Sequence, residues 1–297
     1  MAERLASGRR LLGAALCLSL CSAAPAQADD AASLRARYAA LQPQLADNPF
    51  RRPLHLESRQ QAGTLKGDIY AVIEQPYAVV GPALQGAAQW CEILILHINV
   101  KRCRASDTNA GATLRVHLGR KFDQPLDDAY PVQFSYRVSA ARPDFLQVVL
   151  HAGKGPMGTS DYRIVLEAVA LDAQRSFVHL AYSHAYGMTA RVAMRGYLAT
   201  LARDKVGFSV TDARARGRDR YIGGIRGVVE RNTMRYYLAV EAYLGALSVP
   251  PEARLEKRLN DWHSAVERYP LQLHELERGE YLAMKRKEIQ RQRAAGE

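Results

Sequence analysis

The sequence predicts an α+β fold: a curved, seven-stranded antiparallel sheet, with two short helices after its first strand and further helices at its C-terminal end. Three observations lead there. Apolar residues alternate with period two in run after run between residues 93 and 186, and only short turn signals separate the runs, as antiparallel neighbours allow. A proline-punctuated helical stretch interrupts the strands after the first of them. Beyond residue 189 the apolar period becomes that of a helix.

At the start of the chain, Arg9 and Arg10 precede LLGAALCLSLCSAAP and the small-x-small triplet Ala26-Gln27-Ala28. The run is shorter than the about 20 apolar residues of a membrane span. A secretory signal peptide cleaved after Ala28 is expected, giving a periplasmic or secreted protein, with an uncleaved anchor as the alternative. Leu16 and Leu20 argue against lipoprotein processing at Cys17 or Cys21. Losing residues 1–28 removes three arginines and one glutamate, which takes the formal charge from +11 to +9. That balance suits anionic headgroups, nucleic acid or plain solubility. No helix-turn-helix, zinc-finger or RNA-binding signature accompanies it, so no nucleic-acid partner is expected.

Residues 29–63 form a lead-in. Ser33 is placed to cap a short helix containing Leu34, Tyr38 and Leu41, and Pro43, Asn48-Pro49 and Pro53 then punctuate the chain. LHLESRQQAG is available as an extra edge strand.

The stretch from Lys66 to Cys103, KGDIYAVIEQPYAVVGPALQGAAQWCEILILHINVKRC, organises the rest of the chain. Ile69 to Ile73 is a β-branched run of strand length. Pro76 opens a helical turn, and Pro82 after Gly81 forbids one continuous helix, so a second helix is expected with Pro82 in its first turn. Ile93 to Val100 returns to strand character. This strand, helix, helix, strand unit resembles the opening of the START-like superfamily, helix-grip folds that enclose a small apolar ligand. The resemblance covers residues 64–204 and extends towards 247; it rests on element order rather than on a catalytic signature. It implies a sheet gripping a C-terminal helix, a lipid-type ligand, and relatives that include cyclases and hydrolases.

Further strands are predicted at Thr113–Gly119, Val132–Val138, Phe145–Ala152, Tyr162–Leu171 and Phe177–Tyr186. A helix comes next over 189–204, then a charged loop over 212–220 and a second helix from Ile225 to Leu247. Residues 248–297 make a charged helical extension around Pro270, ending in a basic run, Lys285 to Arg293, that is expected to be solvated. The same run offers peripheral contact with an anionic membrane.

Once the signal segment is gone, Cys91 and Cys103 are the remaining cysteines. An oxidising compartment favours their disulfide, which would tie the helix end to the following strand; two separate buried thiols are the alternative. Neither a metal nor a cofactor is expected, because the cysteines lack C-x-x-C spacing and the strand histidines His97, His117, His151, His179 and His184 show no convergence. Nucleophile-elbow, zinc-peptidase, P-loop and dinucleotide motifs are absent, and no catalytic residue is assigned.

The candidate ligand-binding residues are Tyr182, His184 and Tyr186 on one strand face, Arg191 and Arg195 on the helix after it, and Tyr136 on the apolar face of its strand. Tyrosine offers an apolar body with a polar tip and arginine pairs with carboxylate or phosphate, a combination that suits an amphiphile with an anionic head. A purely structural network between sheet and helix is the alternative. Two other functions compete: a cavity enzyme using His184 or Tyr182 as acid–base group, and an envelope interaction protein docking through its C-terminal helices.

Overall fold

The computed structural model describes residues 29–109, 111–187, 196, 205–212 and 220–294. The proposed signal segment, the 189–204 helix apart from residue 196, and most of the 212–220 loop lie outside the described residues. The lead-in contains α1 (Asp29–Ala40), α2 (Gln42–Ala46) and β1 (Leu54–Gln61). Next come β2 (Thr64–Ile73), α3 (Tyr77–Ala83) and α4 (Ala87–Leu94). The consecutive strands are β3 (Val100–Thr108), β4 (Gly111–Leu118), β5 (Tyr130–Arg142), β6 (Phe145–Lys154), β7 (Thr159–Ala170) and β8 (Ser176–Tyr186). A small hairpin, β9 (Val210–Asp212) and β10 (Arg220–Tyr221), leads to α5 (Gly224–Gly245), α6 (Pro251–Val266), α7 (Pro270–Leu273) and α8 (Arg278–Ala294).

The main sheet is antiparallel throughout, in the order β1-β2-β8-β7-β6-β5-β4-β3. It has eight strands rather than seven, because LHLESRQQ pairs with β2 and joins as an edge. Even-numbered residues of β8 and odd-numbered residues of β2 face the concave side, where α5 lies across β1, β2 and β8. Tyr237, Leu238, Ala239 and Val240 are four consecutive buried residues, as expected of a helix packed by the sheet on one side and α6 on the other. Close approach depends on Gly67, where an added Cβ would stand 2.3 Å from Thr233 Oγ1 of α5. On the convex side, α1 and α2 cover one end of the sheet, with Leu34, Leu41 and Leu45 against Tyr70, Val72, Phe145 and Phe177.

Several local expectations are corrected. The Ile93–Val100 segment is not a strand: α4 runs to Leu94 and turns lead to Val100. Ile93, Leu94, Ile95, Leu96 and Ile98 are all buried, and an apolar run without a polar face conceals its period. Consequently His97 sits in a turn. Pro82 occupies the last turn of α3 rather than the first of α4, where it removes a single terminal hydrogen bond, and Gly86 caps the second helix. Ser33 lies inside α1 and caps nothing. Nor is the basic run at the C-terminus a solvated tail: Tyr281, Met284, Lys285, Glu288 and Ile289 of α8 are buried against α6 and β3.

Cys91 and Cys103 are joined, with Cα atoms 5.1 Å apart, fastening α4 to β3. The Cys103 amide also donates to Gln292 Oε1 of α8 at 2.8 Å. Replacing both cysteines with serine is expected to lower stability by about 3 kcal/mol, mostly by releasing a constraint on the unfolded chain. A lower urea midpoint with a steeper slope, relative to the oxidised protein, is the measurement that checks it, since the freed unfolded chain exposes more surface.

Candidate functional site

Strand alternation places Tyr182, His184 and Tyr186 on the concave face of β8, as expected from their spacing. Their neighbours come from elements far apart in sequence. The Tyr182 ring lies 5.2 Å from Tyr236 of α5 and 6.3 Å from Tyr162 of β7. His184 stacks on Tyr162 at 5.2 Å and leans against Tyr182 at 5.6 Å. His97 extends the cluster, stacked on the other partner, Tyr236, at 4.6 Å. These rings form an aromatic wall between the sheet and α5.

The electrostatics of the wall derive from its dryness. Burial pushes the His184 imidazole down to about 4, and among the described residues its buried Nδ1 has no hydrogen-bond partner. His97 is held well below its ordinary value by burial and by the surrounding cations Arg235, Lys285, Lys121 and Lys101. Burial raises the Tyr182 and Tyr236 hydroxyls, and the other ring hydroxyls nearby reinforce it. At neutral pH the wall is therefore uncharged.

Tyr186 lies further along the strand, half-buried, and its hydroxyl accepts from Gln60 Nε2 at 3.2 Å. It lines an open groove of about 680 Å³ together with Gln60, Gln61, Ala62, Gly63, Ile225 and Arg226. The groove is built where the β1–β2 hairpin, the end of β8 and the start of α5 meet. Gly63, at φ 79°, makes the hairpin turn possible, and its carbonyl accepts the Tyr186 amide at 2.8 Å. Arg226 is held at the mouth by Ser58, donating to its carbonyl at 2.8 Å and its hydroxyl at 3.0 Å.

Tyr136 shares a cross-sheet row with Tyr182, through Leu150 and Ile164, but stands three strands away, about 14 Å. Its hydroxyl donates to the Gln85 carbonyl at 2.7 Å, between α3 and α4. Arg191 and Arg195 lie outside the described residues. Sequence spacing alone did not link Tyr162, Tyr236 and Arg226 to the site; Tyr162 falls in the predicted Tyr162–Leu171 strand and Tyr236 in the predicted Ile225–Leu247 helix, but their meeting depends on how α5 crosses the sheet.

The remaining histidines do not converge. His151 pairs with Asp161 at 2.9 Å on the outer face. His179, also outside, lies between Asp68 Oδ1 at 2.8 Å and Glu167 Oε2 at 2.7 Å. Burial alone would lower it, yet the bonds to the two carboxylates outweigh burial and raise it. Among the described residues no group of three or more His, Cys, Asp or Glu side chains is placed to hold a metal ion.

The element order matches the helix-grip layout: a strand, two short helices, six further strands, and a long helix held in the concave face. The fold is START-like. No protein-family model matches the chain, and no curated protein matches it. Among solved structures it is similar to the ZhuI aromatase/cyclase from a Streptomyces species, with 11% identity over 72% of this chain and 96% of that one and a TM-score of 0.34. A START superfamily protein from Mycobacterium smegmatis has 11% identity over 50% and 92% of the two chains, TM-score 0.31. Norcoclaurine synthase from Thalictrum flavum has 10% identity over 48% and 87%, TM-score 0.32. These superpositions are loose, and the START-like assignment stands on the strand order and the position of α5.

Proposed function

We propose that this chain is an exported START-like protein that binds or carries a lipid or another apolar small molecule. The observation that supports it best is the open groove at the end of the concave face, lined by Tyr186, Ile225 and Arg226, with Tyr186 two residues along β8 from the buried His184. Such a site suits an amphiphile. Its apolar part would gain about 25 cal/mol per Å² buried against the groove residues Ala62, Tyr186 and Ile225. A polar head would meet Arg226 and Gln60.

Native mass spectrometry with lipid extraction, on mature protein purified from its own compartment, tests the reading. A stoichiometric co-purifying amphiphile is expected. Protein that comes out empty and also ignores a panel of lipids would sink it.

The enzyme reading has one observation in its favour, a buried histidine beside a tyrosine ring whose Nδ1 has no partner among the described residues. A group pushed down to about 4 is a weak base at neutral pH, however, and general acid–base work favours a pKa near the working pH.

A further inference from the structure

Four basic residues of the run on α8 are matched from within the protein. Arg286 meets Glu256 at 2.7 Å, Arg291 meets Asp123 at 3.0 Å, Lys287 also reaches Asp123, and Lys285 meets Glu288 at 2.9 Å. The β3 side of the sheet is built differently. Arg102 and Arg104 on β3, Arg115 on β4 and Arg137 on β5 alternate with the core residues Cys103, Leu114, Val116 and Tyr136, so they belong to the convex face. Arg104 stands directly opposite Arg115 in the ladder, and Arg102 opposite His117. Like charges placed directly opposite each other destabilise a sheet. Among the described residues, no carboxylate lies within ion-pair distance of Arg102, Arg115 or Arg137. His117 is held below its ordinary value by burial and then by Arg102 and Arg115.

The charges of Arg102, Arg115 and Arg137, unmatched by any carboxylate among the described residues, are ones that an external anion would meet. Arginine holds phosphate oxygens through paired N–H donors, and strands about 4.8 Å apart present those donors as a nearly flat array. Between the arginines stand Ser106, Thr113, Gln133 and Ser135, with no aromatic ring on which a base could stack. We propose that the convex face of β3, β4 and β5 docks on the anionic phosphates of a phospholipid membrane. This surface acts independently of whatever the concave side holds.

Vesicle flotation of the full mature chain tests it, with phosphatidylcholine alone and with phosphatidylcholine mixed with phosphatidylglycerol, at low and high salt. Flotation with the anionic vesicles only, lost at high salt, is expected. Arg115→Glu combined with Arg137→Glu is expected to weaken partitioning by about 25-fold or more, since each basic residue near an anionic surface contributes about fivefold. The same variant is expected to keep or raise its Tm, because the exchange at position 115 puts opposite charges across the ladder from Arg104. Arg51→Glu with Arg268→Glu, an equal change of charge beside α5 and α6, is expected to leave binding largely intact. Equal flotation with neutral vesicles, none at low salt, or equal losses in the two variants would overturn the proposal. So would preference for a duplex DNA probe over anionic vesicles at the same salt.

Discussion

Glu288→Ala is expected to destabilise the protein by about 3–5 kcal/mol, because it leaves buried charge without its counter-ion. At this chain length that corresponds to a fall in Tm of roughly 5–8 °C. Glu288 gives one oxygen to each of two lysines, Lys101 and Lys285, at 2.9 Å in both cases. Both ammonium groups are buried. Lys101 also donates to the carbonyls of Ile98 and Phe122, and Lys285 to those of His97 and Val100. One carboxylate thus holds two cations and pins α8 to the turn before β3. Lys285→Met is expected to cost less, about 1–2 kcal/mol, since it removes one cation and leaves a matched pair while two carbonyls lose a donor. If the two variants lose stability equally in urea, the carboxylate is not what neutralises the site.

The pH dependence of this cluster has an unusual sign. Burial pushes Lys285 down to about 8, and neighbouring Lys101 adds to that against the opposing pull of Glu288. Between about 8 and its ordinary value of 10.5 the unfolded chain binds more protons than the folded one. Lys285 therefore costs stability below pH 8, and the cost is relieved as pH rises through that window. His184, at about 4, acts at the other end: the unfolded chain takes up its proton first, so its contribution is lost as pH falls from 6.5 through 4.

What the sequence revealed and what it concealed divide along one physical line. Period-two alternation exposes a strand whose two faces meet different surroundings, which is why Leu114–Val116 and Val132–Phe134–Tyr136 were legible. The disulfide partners were legible by elimination. By contrast Ile93–Ile98 is buried on all sides and could not declare its period, and β3 was missed because Lys101-Arg102-Cys103-Arg104 looks like a charged loop. Its Lys101 is buried only because α8, nearly two hundred residues later, brings Glu288 to it. A signal for that was present: Tyr281, Met284, Lys285, Glu288 and Ile289 repeat at helical spacing, and a stripe that includes charges is still a stripe. Within the candidate site, the common face of Tyr182, His184 and Tyr186 came from parity on one strand. The identity of their partners Tyr162 and Tyr236 required the crossing of α5, which no local pattern encodes.

Glu230→Ala is the second large effect expected, about 3 kcal/mol or more, because it strips four hydrogen bonds from a fully buried carboxylate and orphans the amides it held. Oε1 accepts from Ser58 Oγ at 2.5 Å and Ser209 Oγ at 2.7 Å; Oε2 accepts from the amides of Phe208 at 2.6 Å and Ser209 at 2.9 Å. The side chain therefore ties α5 to the edge strand β1 and to the segment 205–209. That segment is also fastened by the Gly207 amide on the Ile222 carbonyl, and its Phe208 ring packs on Phe50 and Tyr269. Ser58 is in turn the group that holds Arg226 at the rim of the groove. Losing Glu230 should free Ser58 and Phe208 together, so hydrogen exchange at the Phe208 and Ser209 amides is expected to accelerate more than at the amides of β6 and β7. Uniform acceleration across the sheet would mean that the carboxylate contributes only global stability. If the groove is the ligand's entrance, the same variant, kept folded at low temperature, should come out empty in the native mass measurement, since the rim that retains the ligand would have lost its anchor.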